Sequence, residues 1–263
     1  MTDPRLQALH RLLDSYGRVL VAYSGGVDSS FLLKMAHDRL GDGVIGVIGD
    51  SPILPRRELK DALDLAGKMG VEIEVVQTDE MEDEEFLANQ ENRCYFCKRH
   101  FFEKMQFVAR EKGIFVLAYG ENADDMMDVR PGSLAAAELQ VRAPLKEAGF
   151  TKEDVRELAA AAGLPNAGKP SSPCLVTRIV GERITREALA RVETGEEAIR
   201  SMGFGIFRLR HHGGKARLEF SPDDLEKASA EPMRSRIIEV VRGVGYEEVE
   251  IDPRGYRRAS GLR

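Results

Sequence analysis

The sequence predicts an α/β fold, a parallel sheet with helices on both faces, followed by a small α+β domain. Up to about residue 165, short apolar runs rich in β-branched residues alternate with helical patterns. Beyond that point the order becomes helix, two strands around a Gly-Gly turn, helix and strand. We therefore predict two domains, 1–165 and 166–263.

The elements are predicted in chain order. A charged amphipathic helix precedes the sheet, and the parallel strands are predicted at 18–23, 43–51, 71–78 and 114–120. Helices between and after them are predicted from Val27 and at 55–70, 95–112 and 151–165. The acidic segment 79–92 is expected to be a solvated connection with a short helical piece. The second domain is predicted as a helix at 184–204, a hairpin within 204–220, a helix at 221–245 and a strand at 246–252.

Composition limits the class of protein. The chain has 263 residues with 43% hydrophobic content, enough for a sizeable core. The net charge of −6 provides no global basic field, so we expect no nucleic acid partner. No apolar run approaches the length of a membrane span, and the N-terminus lacks a signal-peptide core, so we expect a cytoplasmic protein. Three Cys in such a compartment are expected to serve chemistry rather than disulfide scaffolding.

The stretch "VAYSGGVDSSFLLK" joins the first strand to a helix. Unpaired N–H groups at a helix start, together with the helix dipole, favour an anion there. Asp28 is a less natural phosphate neighbour, and we predict that it binds or orients Mg²⁺ and acts in catalysis. The spacing matches neither the P-loop nor the dinucleotide fingerprint. The predicted nucleotide contacts are Ser24, Gly25, Gly26, Val27, Asp28, Ser29 and Ser30.

A second loop, "YGENADDMMDVRPG", follows the fourth strand. Ligands of open parallel sheets lie beyond the carboxyl ends of strands, so this loop should share a rim with the glycine loop. We expect Gly120 and Asp125 to contact the nucleotide and Arg130 to bind a phosphate or carboxylate. Asp124 and Asp128 are further candidates for Mg²⁺. A solvated acidic loop is the alternative interpretation.

Three cysteines occur in two motifs. Cys94 and Cys97 in "NRCYFCK" can ligate one metal, form a redox pair or simply share a helix face. Cys174 in "KPSSPCLVTRI" is flanked by Lys169 and Arg178, which favour the thiolate, although a small buried apolar role is also open. A zinc site of four thiolates from one chain is excluded by the count, so a zinc site would need His100, His211, His212 or a carboxylate. Three thiolates suit an iron–sulfur cluster with one iron open to an outside ligand.

Arg208 and Arg210 alternate with apolar residues in "FRLRHHGGKARLEF". They should project from one face of a strand, where they bind a substrate phosphate or pair with Glu197. Exposed charges on an amphipathic strand are the alternative.

Two levels of resemblance emerge from these motifs. "SGGVDSS" resembles the signature of the PP-loop pyrophosphatases, which implies an adenine nucleotide alpha hydrolase-like sheet. With "NRCYFCK", "GENADDMMDVRPGSLAAAELQVRAPLKEAGF", "KPSSPCLVTRI" and "FRLRHHGGKARLEF", nearly the whole chain resembles the LarE family. The resemblance implies an ATP-dependent sulfur transferase that acts in the biosynthesis of the nickel-pincer nucleotide. This nucleotide is the cofactor of lactate racemase. The small-molecule substrate of the transferase would be pyridinium-3,5-biscarboxylate mononucleotide, adenylated with release of pyrophosphate and then converted to a thiocarboxylate.

The resemblance also implies site residues and cofactors. ATP and Mg²⁺ are implied, and sulfur comes either from Cys174 itself, which becomes dehydroalanine, or from a [4Fe-4S] cluster on Cys94, Cys97 and Cys174. Since members of the sacrificial type lack the Cys pair, we favour the cluster. A homo-oligomer, commonly a hexamer, is implied as well. The implied substrate contacts are Thr177, Arg178, Glu197, Arg208 and Arg210.

Three other classes stay open. A tRNA thiolase of the PP-loop type also combines a Cys pair with a third Cys, although the acidic net charge disfavours it. An amide-forming PP-loop synthetase such as an NAD or GMP synthetase would leave Cys174 without a role. A non-enzymatic nucleotide-binding regulator would bind ATP without releasing pyrophosphate.

Overall fold

The computed structural model describes residues 3–127, 131–170 and 172–256. The chain divides into two compact units. The first runs to Phe86 and resumes over Gln90–Ser172, and the second comprises Leu87–Asn89 and the chain from Pro173 onward. No helix in the described ranges is long and apolar enough to cross a membrane.

The first unit contains a four-stranded sheet in the order β3-β2-β1-β4. All three strand pairs are parallel, which confirms the predicted α/β class. Since parallel strands need crossover connections, each passes through a helix before the next strand begins. The strands are β1 (Val19–Ala22), β2 (Val44–Asp50), β3 (Ile73–Gln77) and β4 (Leu117–Tyr119).

Helices cover both faces of this sheet. Side chains alternate along β1, so Val19 and Val21 enter one apolar core while Leu20 enters the other. The first core is completed by α1, α2, α3 and α8, and the second by α5 and α6. The helices are α1 (Pro4–Tyr16), α2 (Val27–Leu40), α3 (Arg56–Met69), α4 (Glu84–Leu87), α5 (Arg93–Lys112), α6 (Pro131–Glu138), α7 (Pro144–Glu147) and α8 (Lys152–Ala161).

The acidic segment between β3 and α5 is less solvated than expected. Glu80 is 1% exposed and accepts a hydrogen bond from Ser51 Oγ, and Met81 and Phe86 are buried. The predicted short helical piece is α4, preceded by a 3₁₀ turn at Glu80–Glu82. The segment therefore packs against the sheet unit rather than merely linking two elements.

The second unit is a small α+β assembly. Strands β5 and β6 form an antiparallel hairpin, and β7 pairs parallel to β6, which confirms the predicted second sheet. The helix expected over 221–245 is two helices, because Pro232 cannot donate the backbone bond that a continuous helix needs. The elements are α9 (Arg186–Ser201), β5 (Phe207–His212), β6 (Lys215–Phe220), α10 (Pro222–Ser229), α11 (Met233–Gly243) and β7 (Glu248–Ile251).

The units divide after Ser172 rather than near residue 165. Asn166 Nδ2 donates to Gly25 O and to Ser30 Oγ, both at 2.9 Å, and Lys169 Nζ lies 2.7 Å from Glu58 Oε2. The segment after α8 is therefore bound to the glycine loop. The Gly-Leu-Pro sequence marks the end of a helix and not the end of the unit.

Candidate nucleotide site and cysteine segments

The glycine loop turns from β1 directly into α2. Gly25 adopts a left-handed φ of +70°, and a Cβ there would lie 2.6 Å from Ala62 Cβ. Glycine is required on both counts, because other residues disfavour this φ and the space is already filled. Tyr23 holds the loop close to Ala62, because its hydroxyl donates to Ala62 O at 2.9 Å. The loop thereby presents the start of α2, capped by Gly26, at the end of the sheet.

The predicted hydroxyl contacts divide into two kinds. Ser24 and Ser29 lie 3.1 Å apart through their Oγ atoms, and Ser29 Oγ also donates to Gly26 O. Ser30 is fully buried and accepts from Asn166, so it supports the loop instead of facing a ligand. The side chain of Val27 is in the core, which leaves its backbone as the part near an anion.

A cavity of about 260 Å³ opens at the carboxyl ends of β1 and β4. Among the predicted residues, it is lined by Ser24, Gly26, Asp28, Ser29 and Gly120. Gly120 must be small here, since a Cβ would lie 2.8 Å from Ser29 N. The two predicted loops therefore meet at one cavity, as the strand order required.

The carboxylate of Asp28 is the group in this cavity that is best suited to bind a cation. Its Oδ2 accepts from Lys152 Nζ, whereas its Oδ1 is buried and has no hydrogen-bond partner among the described residues. A buried acceptor without a donor is unfavourable unless a ligand satisfies it. Carboxylate oxygens are also the ligands that Mg²⁺ takes in proteins, so Asp28 fits the metal.

The loop after β4 is a 3₁₀ turn at Ala123–Met127. Asp125 Oδ2 accepts from Asn122 N at 3.2 Å, and Asp124 Oδ2 accepts from Lys152 N at 2.8 Å. Both carboxylates thus have internal hydrogen bonds to backbone. The candidates Asp128 and Arg130 lie outside the described residues.

Lys98 is a cavity residue that the sequence analysis missed. It follows Cys97 on α5, and its Nζ lies 4.7 Å from the centroid of the Tyr119 ring. Burial lowers the pKa of Lys98, and Glu121 and the two nearby thiols offset part of that effect. A cation held in the cavity by an aromatic face is suited to a phosphate. The sequence signal that could have identified Lys98 is its position one turn into the predicted helix 95–112.

A buried carboxylate lies behind Lys98. Glu121 is 6% exposed and accepts from Tyr119 Oη at 2.6 Å, from Lys146 Nζ at 3.1 Å and from Ser133 Oγ. Burial opposes its ionisation, but these three hydrogen bonds outweigh it and keep the pKa of Glu121 below its usual value. The carboxylate therefore stays charged beside the ring that holds Lys98.

The Cys pair lies in the first turns of α5. Cys94 and Cys97 are three residues apart, so they share a helix face, and neither forms a disulfide. Thiolates are the ligands that iron–sulfur clusters take, so this pair fits two positions of such a group. Within the described part of either unit, no three His, Cys, Asp or Glu side chains are gathered to hold a metal ion.

Cys174 belongs to the second unit and precedes a 3₁₀ turn at Leu175–Arg178. Arg178 is 2% exposed, and its guanidinium binds Glu196 through two bonds of 2.9 and 3.2 Å. It also donates to the carbonyls of Pro173 and Cys174, and Thr177 Oγ1 donates to Cys174 O at 2.9 Å. Arg178 and Thr177 therefore fix the backbone of the cysteine segment. Lys169, the other predicted flanking cation, belongs to the first unit and pairs there with Glu58.

The two arginines of β5 differ in their partners. Arg210 binds Glu219 Oε2 at 2.9 Å and Thr177 O at 2.9 Å. Arg208 lies 4.9 Å above the Tyr256 ring and donates to Phe207 O, and burial together with Arg178 lowers its pKa. Arg208 is thus the member of this pair that is better placed for an outside anion.

Among the described residues, neither arginine of β5 forms the predicted pair with Glu197. The Glu197 side chain is 62% exposed and lies 3.6 Å from Arg200, whereas the neighbouring Glu196 is 6% exposed and binds Arg178. One residue along a helix rotates a side chain by about 100°, which carries Glu197 to solvent. Glu196 also accepts from Leu209 N, so it joins α9 to β5.

The sequence around the glycine loop is similar to a known protein family. The sequence profile of the NAD synthase family matches residues 9–128, the part that contains the glycine loop. The chain is 37% identical over 258 residues to the uncharacterized protein slr1717 of Synechocystis sp., covering 98% of this chain and 96% of the relative. It is 31% identical over 206 residues to a component of the glutamine-hydrolyzing GMP synthase of Methanococcus maripaludis, covering 72% and 64%.

One relative has a named product. The chain is 33% identical over 242 residues to the pyridinium-3,5-bisthiocarboxylic acid mononucleotide synthase of Lactiplantibacillus plantarum, covering 91% of this chain and 87% of the relative. A match of this extent covers most of both units and is not confined to the sheet that carries the glycine loop. The chain therefore belongs to the LarE family of PP-loop proteins.

Proposed function

We propose that this protein is an ATP-dependent sulfur transferase acting on pyridinium-3,5-biscarboxylic acid mononucleotide in nickel-pincer nucleotide biosynthesis. Family membership and the product name of the L. plantarum relative support this reaction class. The single observation that carries it is the cavity at the glycine loop, where no donor in the described part of the chain satisfies Asp28 Oδ1. Such a site suits the metal-bound phosphates of ATP.

Activation would take place in the first unit. A substrate carboxylate oxygen attacks the α-phosphorus of ATP, the bond to the bridging oxygen breaks, and its electron pair leaves with pyrophosphate. The N–H groups at the start of α2 and the ammonium of Lys98 would stabilise the charge on the phosphates. Mg²⁺ on Asp28 would neutralise the leaving pyrophosphate. The product is an acyl adenylate, whose carbonyl carbon is a far better electrophile than a carboxylate.

Sulfur transfer would use the cysteines. In the sacrificial route, the Cys174 thiolate attacks the acyl carbon and AMP leaves with the C–O electron pair. Loss of the Cys174 α-proton then breaks its Cβ–S bond, which leaves dehydroalanine and releases the thiocarboxylate. In the route that we favour, Cys94, Cys97 and Cys174 would hold a [4Fe-4S] cluster, which would supply a renewable sulfide.

Mass spectrometry after one incubation tests substrate and sulfur origin together. The protein, reconstituted with iron and sulfide or left without a cluster, is incubated anaerobically with ATP, Mg²⁺, the biscarboxylate mononucleotide and sulfide, which replaces the sulfur lost in each transfer. We expect pyrophosphate, AMP and a thiocarboxylate product, with several turnovers per reconstituted protein and intact Cys174. Loss of one sulfur from Cys174 per product would end the cluster route, and absence of any thiocarboxylate would end the proposal.

A PP-loop tRNA thiolase is the second candidate, because it shares the Cys pair and third Cys. The net charge of −6 disfavours binding to a polyanion. Filter binding of tRNA over a range of salt concentrations separates the two. Tight binding that weakens steeply with salt would favour the thiolase, and no binding supports the mononucleotide substrate.

A homo-oligomer, commonly a hexamer in the family, completes the proposal. Sedimentation equilibrium of the full chain measures its mass against the monomer of 29.2 kDa. A monomer at all concentrations would contradict this part alone.

A further inference from the structure

Lys152 contacts the carboxylate that we assign to the metal. It lies 124 residues from Asp28 in sequence, at the first position of α8, and its Nζ donates to Asp28 Oδ2. The side chains of Lys152 and Asp28 are 34% and 20% exposed. The Asp28 carboxylate therefore holds an internal cation on one oxygen while the other oxygen stays buried and unsatisfied among the described residues.

The backbone of Lys152 is fixed, but its side chain is tethered at one point. Its N–H donates to Asp124 Oδ2 at 2.8 Å, and the preceding Thr151 forms a capping box with Asp154. Asp154 is in turn paired with Arg5. Within the described residues, Asp28 is the one side chain that Nζ binds. The ammonium can therefore leave Asp28 without any change in α8.

Helix stability does not explain this lysine. A cation in the first turn is opposed by the positive end of the helix dipole, where acidic residues are favoured. A partly exposed ion pair also adds little to stability. The contact is better explained by the charge that it places beside the cavity.

We infer that Lys152 is a built-in counter-cation that makes metal binding at Asp28 depend on the nucleotide. The inference rests on the proposed role of Asp28 as a metal ligand. Without nucleotide, a divalent cation meets a neutralised carboxylate and an adjacent positive charge, so it binds weakly. A triphosphate brings enough negative charge for both cations, and the ammonium moves from Asp28 Oδ2 to a phosphate oxygen.

Manganese binding to the full chain tests this without turnover. Free Mn²⁺ is measured by electron paramagnetic resonance, with and without α,β-methylene-ATP. We expect Lys152→Met to bind Mn²⁺ alone about 5-fold or more tightly than the wild-type chain, and to lose the same factor of nucleotide coupling. Lys152→Arg keeps the positive charge and should behave like wild type. Lys152→Gln is a second neutral variant should the methionine disturb folding.

Lys34→Met is the matched control, since Lys34 lies on the same helix as Asp28 but pairs with Asp38. It should leave both affinities unchanged. If the neutral Lys152 variants bind Mn²⁺ alone like the wild type while Asp28→Asn weakens the Mn²⁺–nucleotide complex, the inference is wrong and the proposed function stands. If Asp28→Asn changes nothing, the metal assignment in the proposed function is wrong as well.

Discussion

The glycine-loop cavity and the Cys174 segment both concentrate charged residues, but they use their charges in opposite ways. At the cavity, Asp28 Oδ1 lacks a donor among the described residues and Lys98 rests on aromatic rings, so polar capacity is left for a ligand. In the second unit, Arg178 and Arg210 are committed to carboxylates and backbone carbonyls. A charge within a motif therefore indicates ligand binding only when its internal partners leave it available.

Arg178 should give the largest effect. Arg178→Ala leaves the buried Glu196 carboxylate unpaired, and loss of one partner of a buried pair costs about 3–5 kcal/mol. Urea unfolding measures the change in the free energy of unfolding. Arg200→Ala is the control, because Arg200 pairs with the exposed Glu197 and should change stability little. An equally small loss for Arg178→Ala would show that the Arg178–Glu196 pair does not stabilise the fold, and the contrast between the two regions would not hold.

Asp28 should affect catalysis rather than stability. Asp28→Asn removes the anionic metal ligand, and we expect pyrophosphate release to fall at least about 100-fold. The melting temperature should change little, since the lost partner is the half-exposed Lys152. Asp38→Asn, on the same helix, should keep full activity. Retained activity in Asp28→Asn would contradict the assignment of Asp28 as the metal ligand in the cavity.

Lys98 should give a smaller, nucleotide-specific effect. Lys98→Met keeps the buried chain but removes the ammonium, so the KM for ATP should rise about 10-fold, corresponding to about 1.4 kcal/mol. Lys104→Met is matched to it on α5, where Lys104 pairs with Asp79, and should leave KM unchanged. An unchanged KM in Lys98→Met would show that the cavity binds the phosphates without this cation.

The smallest expected effect is the pH dependence of the stability of the second unit. His211 is 5% exposed, with Nδ1 3.0 Å from Tyr246 Oη, and burial lowers its pKa below 6.5 while Glu182 opposes the shift. The unfolded chain thus binds the proton more readily than the folded protein. Stability from this group is fully present above about pH 6.5 and falls below it, by less than about 1.4 kcal/mol per pH unit.

Chemical unfolding at several pH values measures this slope, with His211→Gln for comparison. The variant should lose part of the acid-side decrease. A slope that is the same in both proteins would show that His211 does not contribute to the acid sensitivity of the second unit.

The elements that could be predicted from the sequence are those whose sequence patterns are local. The Gly25 turn, the alternating strands and the hairpin around Gly213 and Gly214 each follow from short patterns, and the family segments are contiguous. Lys98 and Lys152 were missed because Lys98 reaches the cavity, and Lys152 reaches Asp28, from other helices, so that both roles depend on tertiary contacts. Glu196 was missed because the face of α9 that packs against β5 is set by tertiary contacts.

The proposed function requires that AMP is transferred to a substrate carboxylate at the glycine-loop cavity. Isotope transfer tests this most directly, using the biscarboxylate mononucleotide labelled with ¹⁸O in its carboxylates and an excess of ATP. We expect one ¹⁸O in the AMP released for each thiocarboxylate formed, because the carboxylate oxygen that attacked the α-phosphorus leaves with AMP. Thiocarboxylate formed together with unlabelled AMP would contradict it.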